Sequence, residues 1–162
     1  MDIQSKIRAI NDFPEKGIVF RDITTLLKDA EGMQEAVNRL QSGLDGLDFD
    51  LVLGPESRGF IFGMPVAYNL KKGFIPVRKK GKLPAEVISK EYDLEYGTAT
   101  IEMHKDAVQK GQKVVIVDDL LATGGTAKAV VEVVALCFLI ELDALGGRNV
   151  LKGYNVHSVL HY

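Results

Sequence analysis

The feature that most constrains the fold of this chain is a run of four β-branched residues followed directly by acidic and glycine-rich sequence. Residues 114–126 read VVIVDDLLATGGT. An apolar β-branched run such as residues 114–117 is typical of a central parallel strand that is buried on both faces. In open α/β sheets, ligands bind at the carboxyl ends of such strands. The sequence therefore predicts a ligand site around Asp118 and Asp119, which follow this run.

The residues after this run have the chemistry of a site for a phosphorylated sugar. The Asp118 and Asp119 carboxylates can accept hydrogen bonds from two vicinal ribose hydroxyls. A glycine-rich turn follows, made of Ala122, Thr123, Gly124, Gly125 and Thr126. Such a turn offers backbone N–H groups, hydroxyls and a helix N-terminus to a phosphate. An ordinary strand–turn–helix junction with Asp and Thr caps would use the same residue types.

Two common nucleotide-binding motifs are disfavoured by the same segment. The turn lacks the Gly-Lys-Ser/Thr ending of a Walker P-loop. It also lacks the Gly-x-Gly-x-x-Gly pattern of dinucleotide-binding proteins. The glycines at this position therefore indicate a different type of phosphate site.

The composition predicts one soluble, globular domain over residues 1–162. The chain is 46% hydrophobic and 26% charged, with a formal net charge of -2, so its overall charge favours neither nucleic acid nor an anionic membrane as a partner. Residues 1–12 contain no apolar signal core, and no apolar run approaches membrane-spanning length. Cys137, the single cysteine, lies in an apolar run and is expected to be a buried, reduced thiol. These features predict a cytoplasmic protein.

Hydrophobic spacing predicts an alternation of helices and strands. The expected helices are residues 2–11, 32–47 and 59–70, and the expected strands include residues 49–53, 73–77 and 98–103. Residues 79–95 are expected to form a long charged loop or hairpin. The alternation predicts an α/β fold with a mostly parallel central sheet flanked by helices.

Residues 114–126 resemble the phosphoribosyl pyrophosphate (PRPP) signature of the type I phosphoribosyltransferases. The resemblance implies the three-layer fold of that family, with a small N-terminal hood and a mobile loop. PRPP loses pyrophosphate when its phosphoribosyl group is transferred. The rest of the chain is therefore expected to supply cations for this anionic leaving group.

Two further segments supply such cations. In residues 54–60, GPESRGF, a strand end meets a helix start, where Ser57 and Arg58 can hold pyrophosphate oxygens; an ordinary capped helix start would look the same. Residues 78–84, RKKGKLP, carry four cations in five positions, which is also typical of a solvated loop. This segment precedes YDLEYG at residues 92–97, so it can belong to an arm that closes over an anionic substrate and excludes water.

These segments extend the resemblance to nearly the whole chain, and they resemble the family members that act on adenine in particular. SRGF, RKxGKLP and LEYG occur here in the family's order, and GIVFRDI at residues 17–23 is similar to its purine-side segment. The resemblance and the chemistry of residues 54–60 together give one set of expected pyrophosphate ligands: Ser57, Arg58, Arg78, Lys79, Lys82 and Tyr96.

The resemblance also implies how the purine is held. Val19 and Arg21 would contact the adenine edge largely through backbone groups, with Phe20 and Leu120 packed against the faces of the base. A leucine and an aromatic ring suit a planar base, although Phe20 could also be purely structural. Glu95 is implied to handle the purine proton, but a hinge residue or a solvated carboxylate in this charged loop would look the same.

Together these resemblances imply transfer of phosphoribosyl from PRPP to N9 of adenine, giving AMP and pyrophosphate, by a homodimer. They also imply Mg²⁺ as cofactor, held by Asp118 and Asp119 directly or through water, together with substrate phosphates. The histidines have no metal-ligand spacing and are interpreted as structural or surface residues. Two alternatives stay open: a type I transferase for another base, and a non-catalytic PRPP-binding regulatory protein.

The chain departs from the family pattern after the signature. Residues 127–134 run directly into the apolar segment ALCFLIEL at residues 135–142, without a glycine-containing turn. A helix needs a connection of a few residues before an antiparallel returning strand. We therefore expect either a shortened helix or the absence of several residues between Val134 and Ala135.

Overall fold

The computed structural model describes residues 1–93, 98–121 and 133–162. Within the chain two compact units are distinguished, Met1–Arg39 and Leu40–Tyr162, here called the N-terminal unit and the C-terminal unit. Among the described residues, every helix is too short or too polar to cross a membrane.

The N-terminal unit contains a two-stranded antiparallel sheet. A short 3-10 helix, Gln4–Lys6, precedes strand β1 (Arg8–Asn11), which pairs with β2 (Val19–Asp22). Helix α1 (Thr24–Leu27) follows directly, and α2 (Ala30–Ser42) begins three residues later. This hairpin corresponds to the small N-terminal element that the sequence predicted.

The predicted helix over residues 2–11 is wrong. Ile3 and Ile7 are buried as the spacing requires, but Ile10 lies in β1 opposite Phe20. Isoleucine is β-branched and suits strands better than helices. Pairing with residues distant in sequence therefore outweighed a helical spacing that extended over only ten residues.

Asp22 joins the hairpin to the helix that follows it. Its carboxylate accepts hydrogen bonds from Arg8 Nε, from the Thr24 backbone N–H and from the Thr24 hydroxyl, each at 2.9 Å. The hydrogen bonds from Arg8, and then those from Thr24, lower the pKa of Asp22 to about 2. The carboxylate of Asp22 thus fixes the end of β2.

The C-terminal unit is built around one seven-stranded sheet. Its strands are β3 (Leu51–Pro55), β4 (Gly73–Lys79), β5 (Val87–Asp93), β6 (Thr98–His104), β7 (Val114–Leu121), β8 (Val133–Glu141) and β9 (Asn155–His161). Their order is β5-β6-β4-β3-β7-β8-β9. Strands β4, β3, β7, β8 and β9 are parallel, whereas β5 and β6 form an antiparallel hairpin beside β4. The predicted mostly parallel sheet is confirmed.

Helices flank this sheet in the C-terminal unit. Helix α3 (Arg58–Asn69) packs against β3 and β7. A 3-10 helix, Asp143–Leu145, and the short helix α4 (Gly147–Val150) lie between β8 and β9. Residues 79–95, predicted as a loop or hairpin, contain β5, which pairs with β6 outside that range.

The β-branched run is buried as predicted. Val114, Val115 and Val117 are fully buried, and Ile116 is nearly so. Cys137, on the neighbouring β8, is a buried free thiol. Strands covered on both faces need apolar residues at every position, which explains why this segment was the clearest strand in the sequence.

The expected antiparallel returning strand is wrong. Strand β8 pairs in parallel with β7, and Val134 and Ala135 are consecutive residues within it. Val133 and Val134 are β-branched, so they extend the apolar strand toward its amino end. Residues 122–132, which connect the two strands, lie outside the described residues.

Candidate active site

Three chain segments meet at the carboxyl edge of the parallel strands. Leu53 on β3 is in register with Ile75 on β4 and with Ile116 on β7. Because these strands run in the same direction, the segments near their carboxyl ends lie at one edge of the sheet. They are residues 56–58 after β3, residues 78–82 at the end of β4, here called the basic turn, and residues 118–119 in β7.

Arg58 and Asp119 form an ion pair at this edge. Arg58 Nε lies 2.9 Å from Asp119 Oδ2, and Asp119 is only 5% exposed. Burial raises the pKa of the Asp119 carboxyl, and the Arg58 charge opposes this rise. Two residues that the sequence assigned to different parts of the ligand are therefore in direct contact.

Asp118 is half-buried next to this ion pair. Its Oδ1 accepts a hydrogen bond of 2.8 Å from the Asp119 backbone N–H. Burial, and secondly the charge of Asp119, raise the pKa of Asp118 well above its ordinary value. The carboxylates lie within β7, which continues to Leu121 because its backbone pairs with residues 138–141 of β8.

Gly59 brings the first turn of α3 against Asp118. A Cβ at Gly59 would lie 2.9 Å from Asp118 Oδ1 and 2.8 Å from Pro55 Cδ. Real Cβ atoms essentially never come so close to other atoms. Glycine at this position therefore allows the helix start and the carboxylates to share one edge of the sheet.

The alternative of an ordinary capped helix start is not what the structure has at Ser57. Ser57 is the residue before α3, but its side chain makes no capping hydrogen bond. Its side chain is exposed at the same edge as Arg58. The Ser57 hydroxyl is thus not engaged as a helix cap.

The basic turn faces the segment after β3. Arg78 Nε lies 3.4 Å from Glu56 Oε1, and the same oxygen accepts a hydrogen bond of 2.5 Å from the Lys79 backbone N–H. Lys79 and Lys82 are exposed. Within residues 1–93, 98–121 and 133–162, their ammonium groups have no ion-pair partner. These two ammonium groups are therefore accessible to an anionic ligand.

The expected adenine contacts are distributed over both units. Val19, Phe20 and Arg21 lie on β2 in the N-terminal unit, where Val19 is 41% exposed. The ring of Phe20 packs edge to face against Phe13, with 5.2 Å between the centroids. Leu120 lies half-buried on β7 in the C-terminal unit. Each side chain has part of its surface accessible in its own unit.

Several predicted site residues lie outside the described residues. They are Glu95, Tyr96, Ala122, Thr123, Gly124, Gly125 and Thr126. Their assigned roles stay predictions.

Two glutamates at this edge were missed by the sequence analysis. Glu56 contacts the end of β4, and Glu102 on β6 accepts a hydrogen bond of 2.9 Å from the backbone N–H of Gly81 in the basic turn. A signal for Glu102 was available, because this glutamate lies between the apolar residues Ile101 and Met103 in a predicted strand. Glu56 had only its position directly before Ser57, within a predicted ligand segment, as a signal.

A second polar cluster lies at the ends of β8 and β9. Arg148 donates to both carboxylate oxygens of Glu141, at 3.0 and 2.5 Å, and to the Val156 carbonyl at 2.9 Å. The hydrogen bond from Arg148 lowers the pKa of Glu141. His161 Nδ1 lies 2.9 Å from Asp143 Oδ1. These contacts support a structural role for His161 and tie the last two strands together.

The Asp118–Asp119 pair fits the ligand preferences of Mg²⁺ without forming a complete cage. Both side chains offer carboxylate oxygens, which hard cations prefer. In the described part of the chain, the only group of three or more possible metal ligands is Glu141, Asp143 and His161. An ion at Asp118 and Asp119 would therefore need waters and substrate phosphates as its remaining ligands, as Mg²⁺ commonly does.

Comparisons with known proteins agree with this geometry. A family model described as the phosphoribosyl transferase domain matches residues 24–137. Adenine phosphoribosyltransferase of Lachnoclostridium phytofermentans is 57% identical over 168 residues, covering 99% of this chain and 97% of that protein. The chain belongs to the adenine phosphoribosyltransferase family. The enzyme of Alkaliphilus metalliredigens, another member of the family, is 57% identical over 170 residues, with complete coverage of both chains.

Solved structures of family members share the fold. Adenine phosphoribosyltransferase of Thermoanaerobacter pseudethanolicus matches with a TM-score of 0.96 and 53% identity, covering 99% of this chain and 98% of that one. The Saccharomyces cerevisiae enzyme, solved with adenine and an imino-altritol bisphosphate, matches with a TM-score of 0.90 and 34% identity, covering 98% and 96%. The type I phosphoribosyltransferase fold is confirmed.

This member of the family is shorter than the relatives with which it aligns. The alignment with the Alkaliphilus metalliredigens enzyme covers the whole of this chain and spans 170 positions, whereas this chain has 162 residues. At least eight positions of that alignment therefore have no residue in this chain. The family assignment rests on the remaining, closely similar sequence.

Proposed function

We propose that this chain is an adenine phosphoribosyltransferase of purine salvage. It transfers the phosphoribosyl group of PRPP to N9 of adenine and releases AMP and pyrophosphate. The strongest support is that the Arg58–Asp119 ion pair and the basic turn lie at one edge of the sheet, in a chain 57% identical to adenine phosphoribosyltransferases. Such a transfer needs orientation and electrostatic stabilisation rather than a nucleophilic side chain.

Cations stabilise the leaving group. The proposed pyrophosphate ligands are Ser57, Arg58, Arg78, Lys79, Lys82 and Tyr96. Arg58 Nε lies 2.9 Å and Arg78 Nε 3.4 Å from a carboxylate oxygen, and these ion pairs restrain the two guanidinium groups, while the Lys79 and Lys82 ammonium groups are exposed. As the bond to the anomeric carbon breaks, negative charge grows on pyrophosphate, and cations already in place stabilise it.

Carboxylates and the glycine-rich turn hold the ribose phosphate. The Asp118 and Asp119 oxygens accept hydrogen bonds from ribose hydroxyls, and the backbone N–H groups of residues 122–126 bind the 5′-phosphate. Positive charge develops on the ribose in an oxocarbenium-like transition state. Carboxylates close to the ribose favour that charge, so the same two side chains orient the ribose and stabilise its reacting form.

Magnesium is proposed as the cofactor, with Asp118 and Asp119 as its protein ligands, directly or through water. When bound, it supplies positive charge to the phosphates of the donor. Support comes from the two adjacent carboxylates and from a donor that carries several phosphate groups. The Arg58 guanidinium, whose Nε lies 2.9 Å from Asp119 Oδ2, is a further cation at the same edge.

The N-terminal unit contributes to base recognition. Val19 and Arg21 present backbone donors and acceptors to the edge of adenine, while Phe20 and Leu120 pack on its faces. Backbone hydrogen bonds can distinguish an amino-purine from an oxo-purine, because the wrong base leaves polar groups unpaired. Glu95 accepts or shares the purine proton as N9 attacks the ribose.

We further propose that the enzyme is a cytoplasmic homodimer. Cys137 is a buried free thiol whose pKa burial raises to about 12, so the reactive thiolate is scarce, and a lone unreactive thiol suits a reducing compartment. On α3, Met64 is 52% exposed and Tyr68, one turn later, is 79% exposed. Two large, exposed side chains on one helix face support an interface with a second copy.

The experiment that tests this function is AMP formation by the purified protein with adenine, PRPP and Mg²⁺. Hypoxanthine, guanine and uracil are supplied in parallel reactions. Turnover with adenine alone is the expected result. Turnover with another base instead would assign a different type I transferase, and PRPP binding without turnover on any base would contradict the proposed enzyme.

A further inference from the structure

The basic turn is held in the structure by two carboxylates that have no assigned role in the reaction. Glu102 on β6 lies directly opposite Arg78 in the strand register and is only 7% exposed. Its Oε2 accepts the Gly81 backbone N–H at 2.9 Å, and its Oε1 accepts the Ser89 hydroxyl at 3.1 Å. Both oxygens of this buried carboxylate therefore have defined partners.

The second carboxylate, Glu56, holds the beginning of the turn. Its Oε1 accepts the Lys79 backbone N–H at 2.5 Å and lies 3.4 Å from Arg78 Nε. Its own backbone N–H donates to the Val77 carbonyl at 2.8 Å, which fixes Glu56 beside the last residues of β4. The segment after β3 is thus joined to the basic turn through one side chain.

Every backbone N–H from residue 79 to residue 82 has a partner. Glu56 accepts from residue 79 and Glu102 from residue 81. The Thr100 carbonyl accepts from residue 80 at 3.2 Å, and the Lys79 carbonyl accepts from residue 82 at 3.3 Å. Two of these four hydrogen bonds depend on glutamate side chains, so the path of the backbone depends on them as well.

Charge alone gives no reason for glutamates at this place. A carboxylate beside a pyrophosphate site repels the donor, so on Coulomb grounds Glu56 and Glu102 would weaken PRPP binding. Their hydrogen bonds act in the other direction, because they hold a segment with four cations in five positions in one shape. The negative charge of the glutamates is therefore expected to weaken PRPP binding, whereas their hydrogen bonds to the basic turn are expected to strengthen it. An experiment can separate these two effects because they have opposite signs.

We propose that Glu56 and Glu102 are positioning residues that shape the basic turn for the pyrophosphate of the donor. This inference rests on the proposed function. The two glutamates touch neither substrate. They act through the backbone, which sets where the Lys79 and Lys82 side chains begin.

The test compares alanine with glutamine at each glutamate. Both substitutions remove the same negative charge, but glutamine keeps an oxygen that can accept the backbone N–H. We expect Glu56→Ala and Glu102→Ala to raise the KM for PRPP about tenfold. Each variant loses one hydrogen bond between a backbone N–H of the basic turn and a carboxylate, and a factor of this size corresponds to the loss of one hydrogen bond to a charged group. Glu56→Gln and Glu102→Gln should raise it several-fold less. The KM for adenine should change less than about twofold in all four variants.

Glu86 provides the matched control. It is an exposed carboxylate paired with Lys105 at 3.5 Å, so Glu86→Ala removes an equal charge near this hairpin without a contact to the basic turn. The KM for PRPP should be unchanged in this variant. Thermal unfolding of each variant reports folding separately, and a loss of folded protein would lower kcat without raising the KM for PRPP selectively.

Three outcomes would overturn the inference. An equal fall in the KM for PRPP for alanine and glutamine would show that the glutamates act only through charge. An unchanged KM for PRPP in folded Glu56→Ala would contradict the positioning role. Glu56 is half-buried at a strand end, so this variant decides the test if Glu102→Ala does not fold. Absence of AMP formation by the wild-type protein would overturn the proposed function itself, together with this inference.

Discussion

Arg58 and Asp119 lie 2.9 Å apart, measured from Nε to Oδ2, where the first turn of α3 meets β7. Asp119 is buried, whereas the Arg58 side chain is 38% exposed. The pair therefore connects a buried carboxylate with a cation that solvent and substrate can reach. A change in either partner is expected to affect both donor binding and the packing of the helix start.

Arg58→Ala should raise the KM for PRPP about tenfold or more, because one charge-assisted contact to the donor is lost. It should also lower the free energy of unfolding by on the order of 1 kcal/mol, since Asp119 stays buried without its partner while the exposure of Arg58 limits the effect. Steady-state kinetics and chemical denaturation measure the two effects. Lys105→Ala, which removes an exposed cation of a surface ion pair, is the control. A wild-type KM would return Arg58 to a purely structural role.

Asp118→Asn combined with Asp119→Asn should reduce kcat/KM by about a hundredfold or more, because the ribose loses two anionic acceptors and the proposed Mg²⁺ loses both protein ligands. The asparagines keep the shape of the side chains, so the fold should persist. Kinetics at several Mg²⁺ concentrations would measure the change. Asp143→Asn, at an exposed carboxylate near the end of β8, should leave kcat/KM unchanged. Full activity in the double variant would remove both aspartates from the mechanism.

Gly59→Ala should reduce kcat/KM and lower stability by about 1–3 kcal/mol, the typical cost of overpacking. Its Cβ would lie 2.9 Å from Asp118 Oδ1, so either the carboxylate or the helix start must move. Kinetics and thermal unfolding of the variant test this. Asn69→Ala, at an exposed position at the end of the same helix, should not change turnover. A fully active Gly59→Ala would mean that Asp118 tolerates displacement.

The contribution of Asp22 to stability should disappear in acid. Its pKa is about 2 in the folded protein, below the ordinary value of 3.8 for an aspartate. Because the folded value is the lower one, the stabilisation is fully present above about pH 4 and is lost as the pH falls toward about 2. The difference in unfolding free energy between wild type and Asp22→Asn should therefore shrink over that range. A difference that stays constant with pH would contradict this, and Arg8→Met should reduce the same pH dependence.

Cys137 should not react with thiol reagents in the native protein. The thiol is buried, and burial raises its pKa to about 12, so the reactive thiolate is scarce at neutral pH. Absorbance after addition of an aromatic disulfide reagent should stay flat until denaturant is added. Lys16→Cys, at an exposed position, provides a thiol that reacts at once. Rapid reaction of native wild type would show that β8 opens readily.

The sequence correctly predicted the element in which every residue is buried in the same way. Residues 114–117 were predicted as a buried strand because both faces of a central strand require apolar side chains. Residues 2–11 were predicted wrongly because the residues that pair with β1 lie 8 to 14 positions further along the chain and leave no local trace in the spacing. The direction of β8 was also predicted wrongly. It depends on how β8 pairs with β7 and β9 in the folded sheet, and the residues of β8 alone do not indicate this.

The candidate site was predictable where a residue type has a narrow chemical use. Adjacent aspartates after an apolar strand, and an arginine at a helix start, both lie at the predicted edge. Glu56 and Glu102 were missed because their roles depend on which backbone N–H groups come near them, which only the folded chain determines.

The hydrogen bonds of residues 79–82 have a consequence for the thermodynamics of donor binding. All four backbone N–H groups of this turn have partners without any ligand. The conformational entropy of this turn is thus lost when the chain folds, not when PRPP arrives. Association should then resemble docking to a rigid surface, so the heat capacity change at this turn should be small.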